Sequence, residues 1–339
     1  MMTDRVTSSV TNDQVPTIPM ASRVPVMRPV LGETVPPTAL RRLGLIGAGR
    51  LGRTLLLACA KAGVPFTRVH SRQAGPLRDW LLESLPNAPS PTGLDLQAPS
   101  AQSVVDGSDT VFITVRDDAI APVCAGLRWR AGQTVVHCSG ATDIHALSAA
   151  AAQGAAVAGF HPLHTFGDVQ AALASLPGSA VAVEASNPNV LAGLKALARA
   201  LQTRPFELPR GSRALYHASS HFAGSLVVTL MDEAVRHWAR FGVNEKEALA
   251  ALVPLLRSTV SAIEARGLGP GMAGVVARGD LGVLQQHLQA LAEVGPQEQQ
   301  LYAEISLRSV RLALEADRIT DAQAGEMAAA LGTVRDRRG

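Results

Sequence analysis

Residues 43–54 read LGLIGAGRLGRT, and no other stretch constrains the fold as tightly. Gly47, Gly49 and Gly52 stand in GxGxxG spacing between a short apolar run and a segment of helical periodicity. In that setting the first glycine permits a tight turn, the second lets backbone approach a pyrophosphate, and the third lets helix and strand pack closely. The helix that follows presents amide donors to phosphate. The loop predicts a dinucleotide site made by Gly47, Ala48, Gly49, Arg50, Leu51 and Gly52.

From Leu43 onward short apolar runs alternate with helical stretches: LGLIG then Arg50–Ala62, TRVHS then a helix to Leu85, TVFITV then Asp117–Leu127, TVVHC then Asp143–Gln153. AVAGF, SAVAVEA and RPFELP add three strands, with a helix opened by Asn187-Pro188 between the last two. The pattern predicts an α/β fold, a Rossmann-type doubly wound and mostly parallel sheet ending near Pro209. Beyond Gly211 only helices follow. Leu215–Phe241 is apolar nearly all round and is expected to be buried on most sides, in part by a second copy of the chain. Asn244 with Glu247 forms a capping box, Pro254 should kink that helix and Gly267 end it, and Asp280 should cap the next. Two more helices are expected at 297–316 and 321–330. The expected organisation is a flexible tail over 1–40, a Rossmann domain over 41–210, and an all-α substrate and dimerisation domain over 211–335.

Composition narrows the classes. With 339 residues, 47% of them apolar and 17% charged, the chain is a globular protein with room for two cores. The net charge of +3 comes from scattered basic residues, so nucleic acid is not an expected partner. Residues 1–40 lack the continuous apolar core of a signal peptide, and Ala214–Met231 contains His217, His221 and three serines, so no membrane is expected either. Cys59, Cys124 and Cys138 form no CxxC and fall in apolar segments, which fits buried thiols and a cytoplasmic location.

The end of the second strand discriminates between cofactors. An NAD site places Asp or Glu there for the ribose hydroxyls. Val69-His70-Ser71-Arg72 stands there instead, and the Ser71 hydroxyl with the Arg72 guanidinium suits a 2′-phosphate. NADP is therefore favoured over NAD. The strand ends at Val115-Arg116 and at Ser139-Gly140 should also lie along the cofactor, because ligands of such sheets bind outside the carboxyl ends of strands.

IGAGRLG, VRDDAI, VVHCSGA, FHPLHTF, LYHASSHFAGSL and the later ARGD together resemble the bacterial Rossmann-like proteins that carry the DUF2520 domain, relatives of pyrroline-5-carboxylate reductase. The resemblance implies an NADP-dependent oxidoreductase whose helical C-terminal domain, like that of 6-phosphogluconate dehydrogenase, commonly dimerises. It settles no substrate. The chain departs from the family pattern at His164 (usually Gln), His221 (apolar), Ser225 (Asn) and Gly274-Val275 (Gly-Pro), and keeps His161 and His217.

Hydride transfer needs a proton donor or acceptor near the reacting carbon. His161 closes a strand at the expected cofactor crevice, and it is read either as a group facing nicotinamide or as a loop-shaping histidine. His217 and His221, four apart, share a helix face near Ser220 and Ser225. His161, His217, His221 and Ser225 are the catalytic candidates. The only lysines are Lys61, Lys195 and Lys246, so a lysine on the long helix is not available, and neither Tyr216 nor Tyr302 begins a YxxxK. His164 is left between a second substrate contact and a metal ligand with His161, His217 and His221. Asp280 and Asp117 are read as helix caps, and Arg278 as a locally paired residue or a carboxylate contact. The expectation is NADPH-dependent reduction of a small carbonyl or imine by a homodimer, and the rival is a non-catalytic NADP-binding sensor.

Overall fold

The computed structural model describes residues 40–72, 79–80, 83–84 and 98–335. Of the tail expected over 1–40, all but Leu40 lies outside the described residues, as does most of the helix expected to reach Leu85; Leu40 itself is buried in the core of the first unit rather than part of a tail. The chain forms two compact units, Met1–His217 and Ala218–Gly339.

The first unit holds one seven-stranded sheet: β1 (Leu43–Ile46), β2 (Phe66–His70), β3 (Thr110–Ile113), β4 (Thr134–His137), β5 (Ala156–Pro162), β6 (Ala180–Ala185) and β7 (Arg204–Glu207). Their order is β2-β1-β3-β4-β5-β6-β7, and every neighbouring pair is parallel except β5 with β6. The order reverses at β1, where β2 lies on one side and β3 on the other, and this is the switch point at which such sheets open a crevice. The antiparallel step has a local cause. The chain leaves Pro162, runs through a short helix, and re-enters beside the strand it left, with Leu163 N–H on the Ala180 carbonyl at 2.8 Å.

Successive strand residues feed opposite faces, as the two-residue period requires. Leu45, Phe112, Val136 and Phe160 enter one core with Leu55 and Leu194, while Ile46, Val111, Ile113, Val135 and Val157 enter the other with Val104, Ile120 and Leu147. Phe112 packs edge-on between Phe66 and Phe160, at 5.5 and 5.9 Å between centroids. Both faces are covered by α1 (Arg50–Lys61), α2 (Ala101–Gly107), α3 (Asp117–Ala125), α4 (Ser148–Ala151, entered by a 3-10 turn over Ile144–Leu147), α5 (Val169–Ser175) and α6 (Pro188–Ala200). Sequence reasoning did not foresee α2 or α5. Ser100 and Ser103 close a reciprocal capping box on α2, and the Asp168 side chain caps α5 through Ala171 N–H.

α7 (Arg213–Ala223) leads out of the first unit. The second contains α8 (Ser225–Ala239), α9 (Glu245–Arg266), α10 (Leu268–Gly271), α11 (Leu281–Val294), α12 (Pro296–Glu315) and α13 (Asp321–Arg335). Asn244 caps α9, Pro254 sits inside it without ending it, Gly267 ends it at φ +83°, and Asp280 caps α11 through Val283 N–H. The core of this unit is built by α11–α13, around Leu284, Ala303, Val310, Met327 and Leu331.

The expectation for Leu215–Phe241 needs correction. It is not one helix, because the chain breaks at Gly224 (φ −112°, ψ −95°), and it is not buried within the chain. No residue of α8 is buried, and Leu215, Phe222, Val228 and Phe241 are 70–74% exposed. The helices α11–α13 bury their apolar faces on one another, and among the described residues α8 has no buried residue and α9 only Ala248.

Candidate functional site

Gly47 leaves β1 in a left-handed conformation, φ +101°, and a Cβ there would stand 2.9 Å from Val115 Cγ1 and 3.0 Å from the Thr114 carbonyl. Its N–H holds the His70 carbonyl at 2.9 Å and its oxygen accepts the Thr114 hydroxyl, so the loop is tied to β2 and β3 at once. A Cβ on Gly52 would strike the Gly47 oxygen, whereas Gly49 faces open space. Gly49 is also the N-cap of α1, which has neither a side-chain cap nor an acidic residue in its first turn. Uncapped amides at the positive end of a twelve-residue helix, beside an open glycine, fit a dinucleotide pyrophosphate.

Around this cradle the other expected cofactor residues take distinct places. Arg50 is exposed and Leu51 half-buried at the start of α1, while Arg53 turns back to the Ala48 carbonyl at 3.2 Å and stacks on Trp80. Ser71 is half-buried and Arg72 exposed just past β2. Val115 is half-buried and packs against the loop, whereas Arg116 is exposed and paired with Asp118 at 2.9 Å. The Ser139 hydroxyl is committed within its own loop: it accepts from Ala141 N–H and Thr142 N–H and donates to Thr142 Oγ1. Ser139 thus shapes the turn that presents Gly140.

Gly140 abuts two imidazoles. A Cβ there would lie 2.8 Å from His161 Nε2 and 2.7 Å from His217 Cδ2. His161, near the end of β5, pairs through Nδ1 with the Tyr216 hydroxyl at 2.7 Å, and the two rings meet edge-on at 5.6 Å. His217 meets the His161 ring edge-on at 6.4 Å, and Phe206 of β7 backs Tyr216 at 5.7 Å. Of the four catalytic candidates, the structure brings His161 and His217 together and adds Tyr216, which spacing alone did not single out. Burial pushes the His161 pKa down to about 4, helped by the Arg213 and His217 charges and opposed by Asp117. The ring is neutral at pH 7.

Beneath this cluster lies a buried ion pair that the sequence did not announce. His137, Gly159 and Glu184 occupy one rung across β4, β5 and β6. The missing side chain at Gly159 leaves a slot for the Arg213 guanidinium, whose Nη2 would clash with any Cβ there. Arg213 donates from Nε to Glu184 Oε1 at 2.9 Å and from Nη1 to the Ser139 carbonyl at 2.6 Å. Arg213 opens α7, so this anchor fixes the turn that carries Tyr216 and His217. His137 accepts from Ser139 N–H on Nδ1 at 3.2 Å, and burial first, then Arg213, pushes its pKa down to about 3.

The remaining candidates resolve differently. Both ring nitrogens of His164 pair with serines, Ser175 at 3.0 Å and Ser179 at 3.1 Å, so it braces the β5–β6 connection. No group of three His, Cys, Asp or Glu suited to a metal occurs among the described residues. His221 is exposed one turn beyond His217 on α7, and Ser225 is exposed at the start of α8. Asp117 is the first helical residue of α3 rather than its cap, because Arg116 takes the cap position without a side-chain bond. Arg278 is exposed in a 3-10 turn. All three cysteines are buried, and burial pushes the Cys59 thiol up to about 12 and Cys138 higher still, which leaves neither a nucleophile.

Comparison with known proteins agrees with this geometry. Residues 179–309 match the family model of the domain of unknown function DUF2520, and residues 42–140 match that of the coenzyme F420-dependent NADP oxidoreductases. The resemblance read from the motifs is thereby shown. No curated protein sequence matches the chain. Among solved structures, a Bacteroides fragilis protein described as an NADP oxidoreductase is 21% identical, with a TM-score of 0.62 over 80% of this chain and 99% of that one. Pyrroline-5-carboxylate reductase of Streptococcus pyogenes is 13% identical, with a TM-score of 0.53 over 83% and 100%. A reductive aminase of Aspergillus terreus, solved with an NADPH-type cofactor, cyclohexanone and allyl amine, is 16% identical, with a TM-score of 0.51 over 88% and 95%. At these identities the likeness is one of fold.

Proposed function

We propose that this DUF2520-containing, Rossmann-type protein is an NADPH-dependent reductase of a small carbonyl or imine. The observation that carries the reading is the coincidence, along one edge of the sheet, of an uncapped glycine-rich helix start after β1 and a neutral histidine at the end of β5. When bound, the dinucleotide supplies hydride. Gly47–Gly52 and Arg50 hold its pyrophosphate, Ser71 and Arg72 its 2′-phosphate, and Val115, Arg116 and the Ser139–Gly140 turn border the rest. His161 and His217 meet the substrate. The described fold neighbours include reductases solved with NADPH-type cofactors and small ketones or amines, which supports the class of chemistry.

The exposed apolar faces of α8 and α9 pack against a second copy in this reading. α9 has the length and composition of a membrane span, with only 6% of its most apolar window buried. Yet Arg257, Ser258 and Thr259 interrupt its middle and charged residues mark both ends, which costs several kcal/mol in lipid. A protein partner of like composition accommodates both features. Three buried thiols agree with the reducing cytoplasm.

The test is consumption of NADPH with a panel of small ketones, aldehydes and cyclic imines. Turnover that collapses in His161→Ala, with NADPH binding retained, supports the reading. NADPH binding without turnover of any member would leave the sensor alternative standing.

A further inference from the structure

The His161–Tyr216 contact carries a more specific inference, which rests on the reductase reading. A neutral imidazole is a poor acid: losing its Nε2 proton leaves imidazolate, a far stronger base than phenolate. Here, however, Nδ1 lies 2.7 Å from a phenol, and Nε2 lies at the other end of the ring, beside the bare Cα of Gly140.

We propose that Tyr216 is the proton reservoir for His161: Nε2–H of His161 protonates the substrate heteroatom while Nδ1 takes the proton of the Tyr216 hydroxyl. The step balances. As hydride adds to the substrate carbon, the C=O or C=N π pair moves onto oxygen or nitrogen. That atom gains the Nε2 proton, the Tyr216 O–H bond breaks, and a new Nδ1–H bond forms. The negative charge comes to rest on the phenolate, a group of ordinary pKa near 10, instead of on an imidazolate. Solvent then reprotonates Tyr216, and exchange of the ring proton restores the starting tautomer.

Several features hold the pair in this role. Phe206 packs on the Tyr216 ring, and Arg213, anchored on Glu184 one turn earlier in α7, sets the height of Tyr216 above β5. Among the described residues, the charged and titratable groups facing His161 are Arg213 and His217 from α7, Asp117 from α3 and His137 from β4. Burial first, then Arg213 and His217, disfavours a cationic ring, so His161 works as a neutral donor, as polarising histidines do elsewhere. Tyr216 acts through His161 and is a positioning and relay residue.

The relay requires one tautomer, Nδ1 accepting and Nε2 protonated, and nitrogen NMR of the full-length protein reads it directly. The expected result is the Nε2–H form of His161 across pH 6–9, becoming a mixture in Tyr216→Phe, which keeps the ring and its packing. In turnover, Tyr216→Phe should lower kcat about 100-fold with KM and NADPH affinity little changed, within the range of acid–base catalysis. A wild-type Nδ1–H tautomer, or an unchanged kcat in Tyr216→Phe, overturns the proposal while leaving the reductase reading intact. A wild-type protein that binds NADPH but reduces nothing overturns both.

Discussion

Arg213 lies on the bare Cα of Gly159 and reaches Glu184 at 2.9 Å, with side chains only 3% and 8% exposed. The contact joins the first turn of α7 to β6, the strand beside the sheet edge, 29 residues away in sequence. Removing either partner strands the other charge in the interior, which costs about 4 kcal/mol. Glu184→Ala and Arg213→Ala should each lower the unfolding free energy, read from the urea midpoint and slope, by that amount. Arg213→Met with Glu184→Leu should recover much of the loss, because no buried charge is left unpaired. Urea unfolding of the three variants checks this.

Gly140 is bounded by the two imidazoles it separates, so Gly140→Ala cannot be accommodated without moving them. The ring signals of His161 and His217 should shift together, while those of His287, bonded to Tyr302 in the helical unit, should stay in place. Proton–nitrogen NMR of the histidines distinguishes this local effect from general unfolding.

Stability should fall in mild acid. His137 and His161 have folded pKa values of about 3 and about 4, both below the ordinary 6.5. Between 6.5 and those values the unfolded chain binds protons that the folded chain does not, so stability rises with pH there. What the two neutral rings contribute is fully present above pH 6.5 and is lost as pH falls toward 4. The slope is at most about 1.4 kcal/mol per pH unit for each group. Tm measured from pH 7.5 to 4.5 should decline, and His137→Gln should flatten the decline.

The apolar faces of α8 and α9 are expected to hold two copies together. Leu230, Leu255 and Val260 are exposed in the single chain, and sedimentation should show a dimer. A charge at the interface, Leu230→Asp, should shift it toward monomer. A wild-type monomer at micromolar concentration would contradict the assembly.

The sequence displayed what depends on spacing and composition. The glycine loop, the seven strands, the caps at Asn187, Asn244 and Asp280, and His161 at a strand end are all readable within a dozen residues. Contacts between distant segments were not readable. Tyr216 was weighed only as the start of a YxxxK, and its bond to a histidine 55 residues earlier has no local signature. Arg213 looked like one of many arginines, although Gly159, a glycine inside a strand, was a hint of close approach. The reverse direction of β6 is set by the return of the chain through α5, not by the composition of the strand. α2 escaped notice because Ser103 replaces the usual Glu or Gln of a capping box. Helical periodicity carried across Gly224 concealed the break there, and a run of apolar residues cannot distinguish burial within a chain from burial between chains.

The central claim is that the glycine loop with Ser71 and Arg72 binds NADP(H), and a titration with NADPH and with NADH, followed by nicotinamide fluorescence, tests it most directly. The account predicts tight NADPH binding and much weaker NADH binding, with Arg72→Ala weakening NADPH alone by about tenfold or more, roughly 1.4 kcal/mol. If neither nucleotide binds, the glycine loop only joins β1 to α1, and the account is contradicted.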